Sequence, residues 1–241
     1  MISLGIHDGY NATACLIRDG RVEACISEER LVRVKNWCGF PEKAIRACLD
    51  TCGVDSSQVD AVGVAGLLPP VYSMGEIVNP KGFRDLYRHL SPLLPMSFSS
   101  SDLARRWALA ILSRQRNRGE IANRLRALGI SAEVRFYDHH WLHALSAYAC
   151  SPHYNSDEKV LVLTCDGSGD AACATVNIAQ NGTMRTLAVV NREHSIGEIY
   201  ARVTQFLGMK PLSDEYKVMG LAAYANEKYA EKTYNLSLIH I

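Results

Sequence analysis

The hydrophobic pattern of the first 27 residues predicts three strands, Ile2 to Ile6, Thr13 to Arg18 and Arg21 to Ser27. The last two meet at Asp19-Gly20, a dipeptide suited to the positive backbone angles of a tight hairpin. A helix is predicted from Pro41 to about Cys52, with proline in its first turn and Gly53 behind it. Val59 to Ala65 reads as a short apolar strand. Residues 66–101, rich in Pro, Ser and Gly, carry no assignable period. Asp102 to Leu128 reads as helical, in two pieces around Asn117 to Gly119. A strand over Glu133 to Tyr137, a helix over His139 to Cys150 and a buried strand over Lys159 to Cys165 follow.

The pattern then restarts. Ile2 to Ile6 runs into His7-Asp8-Gly9, then a strand, a turn at Gly20 and another strand. Leu161 to Thr164 runs into Cys165-Asp166-Gly167, then a strand, a turn at Asn181-Gly182 and another strand. Each copy is a strand ending in Asp-Gly, followed by a hairpin. A β-β-β-α-β-α-β unit that begins again resembles the duplicated ribonuclease-H-like fold of actin and sugar kinases. Chance similarity of two short hairpins is the alternative. In that α/β architecture the two Asp-Gly turns face a shared cleft and bind the metal and phosphates of a nucleotide. The expected layout is a first half over residues 1–158 and the opening of an incomplete second half over 159–235. Residues 236–241, Leu-Ser-Leu-Ile-His-Ile, match the translation of a transposon end used in sequencing adapters. They are expected to be a non-native tail on a truncated reading frame.

Composition narrows the class. A chain of 241 residues, 48% hydrophobic and 21% charged, buries a core without metal or disulfide staples. Lys plus Arg minus Asp plus Glu is 26 − 25 = +1, so no global field attracts nucleic acid or an anionic membrane. Residues 102–128 carry seven arginines against two acids. With almost no aromatic interleaving, that helix reads as a solvated face or a surface for an acidic partner rather than a nucleic-acid site. No run of about 18 apolar residues exists to span a bilayer, and the N-terminus lacks the basic start of a signal peptide. Eight cysteines without such a signal are expected to be free thiols in a reducing, cytoplasmic setting. Cys15, Cys25, Cys165 and Cys173, inside apolar runs, are expected to be buried.

The stretch richest in chemistry is Asp138-His139-His140-Trp141-Leu142-His143-Ala144, at a strand–helix junction where α/β folds commonly bind ligands. His139 and His143, at i and i+4, share one helical face and suit one metal ion. A zinc-protease site needs Glu beside the first histidine, and His140 stands there instead. Two histidines and a carboxylate suit Fe(II), Zn or Mn, with Asp166 the natural third ligand.

Here the chain resembles a known family. His139-His140-Trp141-Leu142-His143-Ala144 with Ser146-Ala147-Tyr148 and Ser151-Pro152 is similar to the histidine signature of the nodulation and antibiotic-tailoring O-carbamoyltransferases. The resemblance extends through Val162 to Gly169, His194 to Tyr200, Thr204 to Gly208 and, most strongly, Asp214 to Tyr224. Gly5 to Thr13, Glu28-Glu29-Arg30, Arg33-Val34-Lys35 and Gly39-Phe40-Pro41 carry it at the N-terminus, so that it spans residues 2 to about 226, with 66–130 unspecific.

The resemblance implies a two-stage enzyme. A C-terminal YrdC-like domain, absent here, joins carbamoyl phosphate and ATP into carbamoyl adenylate. The actin-like domain then moves the carbamoyl group onto the hydroxyl of a small-molecule acceptor, such as a glycoside or antibiotic, with a bound Fe(II) or other divalent metal. Carried over, His139, His143 and Asp166 become metal ligands. Asp8 and Lys35 line the carbamoyl adenylate pocket, and Glu215 to Lys217 shape the cleft. Asp8, Tyr10, Lys35 and His140 form the expected catalytic group. Tyr10 stands where the family often has His, and a phenol of pKa about 10 is a poor base at neutral pH. His7, Asp8 or His140 are the alternatives. Two other functions remain open at this level: a tRNA threonylcarbamoyltransferase-like protein, and a non-catalytic actin-like ATP-binding module.

Overall fold

The chain's computed structural model describes residues 1–68 and 118–229. The hairpin expected at Asp19-Gly20 forms, both residues at positive φ (49° and 79°). It joins β2 (Thr13–Arg18) to β3 (Arg21–Ser27), and β1 (Ile2–His7) pairs antiparallel with β2. β4 (Ala61–Ala65) lies parallel to β1, and β5 (Glu133–Tyr137) parallel to β4. Among the described residues the sheet runs β3-β2-β1-β4-β5. The chain is mixed α/β.

The period of two puts Leu4, Ile6, Ala14, Leu16, Val62 and Val64 on one sheet face, all buried. Against them pack Ala44, Ile45 and Cys48 of α2 (Glu42–Cys52) and Ile121 and Leu125 of α3 (Arg118–Ala127). Each fully buried Leu or Ile contributes roughly 1.5–3 kcal/mol. Of the helix expected over 102–128, only the part from Arg118 onward lies among the described residues, as does none of 69–101 or 230–241.

A short helix escapes the hydrophobic pattern: α1 (Glu28–Val32) follows β3 directly. It serves α2, whose N-cap residue Pro41 has no side-chain hydroxyl or carboxylate to offer the first turn. The buried Glu28 carboxylate does so from α1, accepting from Ala44 N at 2.6 Å and Lys43 N at 3.2 Å.

The chain divides into two compact units, the first ending at Tyr154 and the second beginning at Asn155. The second opens with an antiparallel meander, β6 (Val160–Gly169), β7 (Ala172–Gln180) and β8 (Thr183–Asn191). The Asn181-Gly182 turn forms as expected, with φ of 51° and 70°. Two expectations are corrected. Asp166-Gly167 does not end β6: the strand continues to Gly169 and turns at Asp170-Ala171, at φ of 48° and 62°. Three residues, Asp166 to Ser168, sit opposite the single Cys173, because pairing jumps from Cys165↔Ala174 to Gly169↔Ala172. Nor is β6 buried on both sides. Val162 and Thr164 are buried, whereas Leu161 and Leu163 are 60% and 63% exposed. Cys25 and Cys165, expected inside, are exposed by the same alternation and Cys15 is only half-buried, while Cys173 is buried as expected. All eight cysteines are free.

The buried face of this sheet is polar yet internally satisfied. Asn177, buried on β7, donates from Nδ2 to Val162 O and to Thr175 Oγ1, and its Oδ1 accepts from Thr186. Thr164 and Thr175 share a 2.7 Å hydrogen bond. Beyond β8 come α5 (Ile196–Phe206), whose N-cap Ser195 accepts from Glu198 N at 3.1 Å, and α6 (Glu215–Leu221).

Replacing Glu28 with Ala leaves two helix N–H groups without their buried acceptor. Such a loss costs about 1–3 kcal/mol. The urea midpoint of Glu28→Ala is expected to fall accordingly, with Glu28→Gln between it and the parent; a midpoint unchanged in both would show that the carboxylate does not hold α2.

Candidate functional site

Parallel pairing puts the carboxyl ends of β1, β4 and β5 along one edge of the first unit's sheet. Asp8 follows β1, and Asp138-His139 follows β5, two strand spacings or roughly 10 Å away. Open α/β sheets bind ligands at this edge.

Asp138 starts α4 (His139–Ala149) as its N-cap, accepting from Trp141 N at 2.9 Å. One turn of helix then stacks His139 and His143. Their Nε2 atoms lie 3.0 Å apart, with ring centroids 4.6 Å apart and planes at 79°. Two imidazole nitrogens converging on one point on a half-buried-to-exposed face suit a shared borderline metal ion such as Fe(II) or Zn. His140 points into the protein and is fully buried, its ring centroid 5.3 Å from that of His139.

The N-terminal candidates lie on two loops that are stitched together. His7 Nε2 lies 3.0 Å from Tyr10 O, Tyr10 bridges Cys38, and Ala12 N donates to Trp37 O at 3.0 Å. Asp8 is buried; Lys35 is exposed in the loop beyond α1, between the left-handed residues Arg33 and Asn36. Glu29 pins this loop by accepting from Asn36 N at 2.8 Å.

Asp166, Glu215 and Lys217 belong to the second unit. Asp166 lies in the bulge of β6 and accepts from Gly167 N at 2.6 Å. A pocket of about 480 Å³ there is lined by Asp166, Gly167, Ile196, Gly197, Tyr200 and Val203 among others. Tyr200 donates its hydroxyl proton to Glu215 O at 3.0 Å, tying α6 to α5, and Glu215 Oε1 accepts from Leu212 N. Lys217 pairs with Asp214 at 2.9 Å, and that hydrogen bond raises its pKa.

The structure thus joins His139 to His143, and the Asp8–Tyr10 loop to the Lys35 loop. Within the first unit Glu28 and Glu29 hold α2 and the Lys35 loop, and within the second Ser195 and Gly197 hold the Asp166 bulge; the sequence motifs contained these four residues without disclosing their tasks. Ser195 donates to Gly167 O at 2.5 Å, and a Cβ on Gly197 would meet Gly167 Cα at 2.8 Å.

Comparison with known proteins identifies the fold's relatives. The family model described as Carbamoyltransferase N-terminus matches residues 104–237, more than half of the chain. The chain belongs to this carbamoyltransferase family. The nodulation protein NolNO of Sinorhizobium fredii is 31% identical over 221 residues, covering 92% of this chain and 28% of that protein. An uncharacterised protein of Synechocystis is 28% identical over 235 residues, covering 95% of this chain and 35% of its own length. The chain therefore spans about a third of the length of these two relatives. Among solved structures, YeaZ from Pseudomonas aeruginosa aligns over 79% of the chain and 67% of its own, at 17% identity and a TM-score of 0.36, too low to bear on function. Among the described residues no helix is long and apolar enough to cross a membrane.

Gly197→Ala sets two effects against each other. Alanine in a helix gains about 1 kcal/mol over glycine, while overpacking against backbone costs roughly 1–3 kcal/mol. The contact is with Gly167 Cα, which has no side chain to swing aside, so a net loss of stability and a shifted Gly167 amide resonance are expected. A stabilised variant with an unmoved Gly167 would show that α5 does not clamp the Asp166 bulge.

Proposed function

We propose that this chain is the transfer portion of an O-carbamoyltransferase, holding carbamoyl adenylate and passing its carbamoyl group to the hydroxyl of a small glycoside-like acceptor. Family membership supports carbamoyl transfer, and the observation that carries the site is the convergence of His139 and His143 at the sheet edge that also bears Asp8. In this reading the two units are the halves of a duplicated ribonuclease-H-like, actin-like fold, each opening with an antiparallel meander. The second half is incomplete here. The adenylate is made from carbamoyl phosphate and ATP by a YrdC-like domain in the remaining length of the protein.

His139, His143 and Asp166 would hold a divalent metal, Fe(II) foremost. Such an ion supplies Lewis-acid polarisation of a carbonyl or phosphoryl oxygen. Lys35 neutralises charge on the acyl phosphate, Asp8 lines the same carbamoyl adenylate pocket, and Glu215 and Lys217 help shape the cleft that holds it. The acceptor hydroxyl must lose a proton as it attacks the carbamoyl carbon. His7 is the base this geometry favours over Tyr10 and the buried His140. Its Nε2–H donates to the Tyr10 carbonyl, which makes Nε2 the protonated nitrogen and sets the ring at the loop.

Two measurements test this reading. Fe(II) or Co(II) titrated into the chain should bind at one site, and His139→Ala/His143→Ala should abolish retention of the metal after desalting; unchanged metal content would remove the ligand assignment. ATP and carbamoyl phosphate given to the 241-residue chain alone should yield no AMP, whereas the protein spanning the relatives' full length should release AMP and carbamoylate a hydroxylated acceptor. AMP release by the chain alone would overturn the division of labour.

A further inference from the structure

Cys15 and Cys25 are direct register partners on β2 and β3. Opposed Cα atoms of an antiparallel pair lie about 4.5 or 5.5 Å apart, depending on the hydrogen-bonding site. Both values fall inside the roughly 4.4–6.8 Å that a disulfide spans. Side chains meet on this face: the neighbouring pair, Thr13 and Ser27, closes to 3.2 Å. Gly5, the partner of Cys15 on β1, has no side chain to wedge the two thiols apart. Cys48 packs on the other face of the sheet, donating to Ala14 O, and does not compete.

We propose that Cys15 and Cys25 form an oxidisable dithiol, a modification site for two-electron oxidants of the hydroperoxide class. Cys25, exposed on the edge strand, meets the oxidant first. Its sulfur attacks one peroxide oxygen, the O–O bond breaks, and the first water leaves with the thiol proton, giving a sulfenic acid. The Cys15 sulfur then attacks that sulfur. The S–S bond forms, the S–O bond breaks and a second water leaves with the Cys15 proton. The sulfur pair has lost two electrons and the peroxide has gained them. Burial, with the Cys25 thiol beside it adding, pushes the Cys15 thiol up to about 12, which suits the resolving rather than the attacking role. The product staples β3 three residues before the start of the helix whose Glu28 and Glu29 hold α2 and the Lys35 loop.

Peptide mapping tests this. The reduced chain is treated with hydrogen peroxide, alkylated and digested with trypsin without reductant. Cleavage after Arg18, Arg21 and Arg30 places Cys15 in Met1–Arg18 and Cys25 in Val22–Arg30, the sole cysteine of each. The expected product is these two peptides joined, two hydrogens lighter than their sum. It should disappear with dithiothreitol and in Cys15→Ser and Cys25→Ser, and persist in Cys150→Ser. Recovery of Cys25 as a sulfinic acid with no joined peptide, or joined to another cysteine, would overturn the proposal.

Discussion

Parallel pairing of β1, β4 and β5 is the constraint on which the site in the first unit depends. Residues at the ends of these strands are far apart in the chain, Asp8 near its start and His139 past its midpoint. Only a parallel register points all three carboxyl ends the same way and gathers the residues beyond them on one edge. The core under the sheet fixes that register. A slip of one residue would turn Leu4, Ile6, Val62 and Val64 out to solvent, each losing a burial worth roughly 1.5–3 kcal/mol.

On that frame, short polar contacts decide where the chemistry sits. Asp138 follows β5 directly and caps α4, so His139 emerges at the edge and the helical repeat brings His143 beside it. The Glu28-Glu29 pair works in two directions. One carboxylate closes the N-terminus of α2 and the other holds the Lys35 loop by Asn36 N. A motif that carries the family resemblance is thus, at these two positions, a scaffold for the residues around it.

The second unit shows the same division of labour. Its sheet keeps a polar interior, tolerated because Asn177, Thr164, Thr175 and Thr186 satisfy one another. The bulge at Asp166 lifts that carboxylate out of the ladder, and α5 locks the bulge through Ser195 and through the absence of a side chain at Gly197.

Much of this was legible in the sequence. Period-two patterning and the Asp-Gly and Asn-Gly dipeptides determine the hairpins locally, because those turns need positive φ at the residues that tolerate it. Helical spacing alone puts His139 and His143 on one face. Local patterning does not encode the neighbours that a residue meets across a sheet or helix. The short helix α1 has no hydrophobic period, and its reason is an acceptor that α2 lacks. Asp166-Gly167 reads as a turn, but strand pairing with β7 carries β6 past it. Cys25 and Cys165 sit in apolar runs and read as buried, yet which face of a strand is covered depends on the elements packed against it. The sequence by itself determined the hairpins, the longer helices among the described residues, the histidine pair and the family. Tertiary structure alone decided which carboxylates are scaffold, which cysteines meet solvent and which strand ends share an edge, since each depends on contacts between segments distant along the chain.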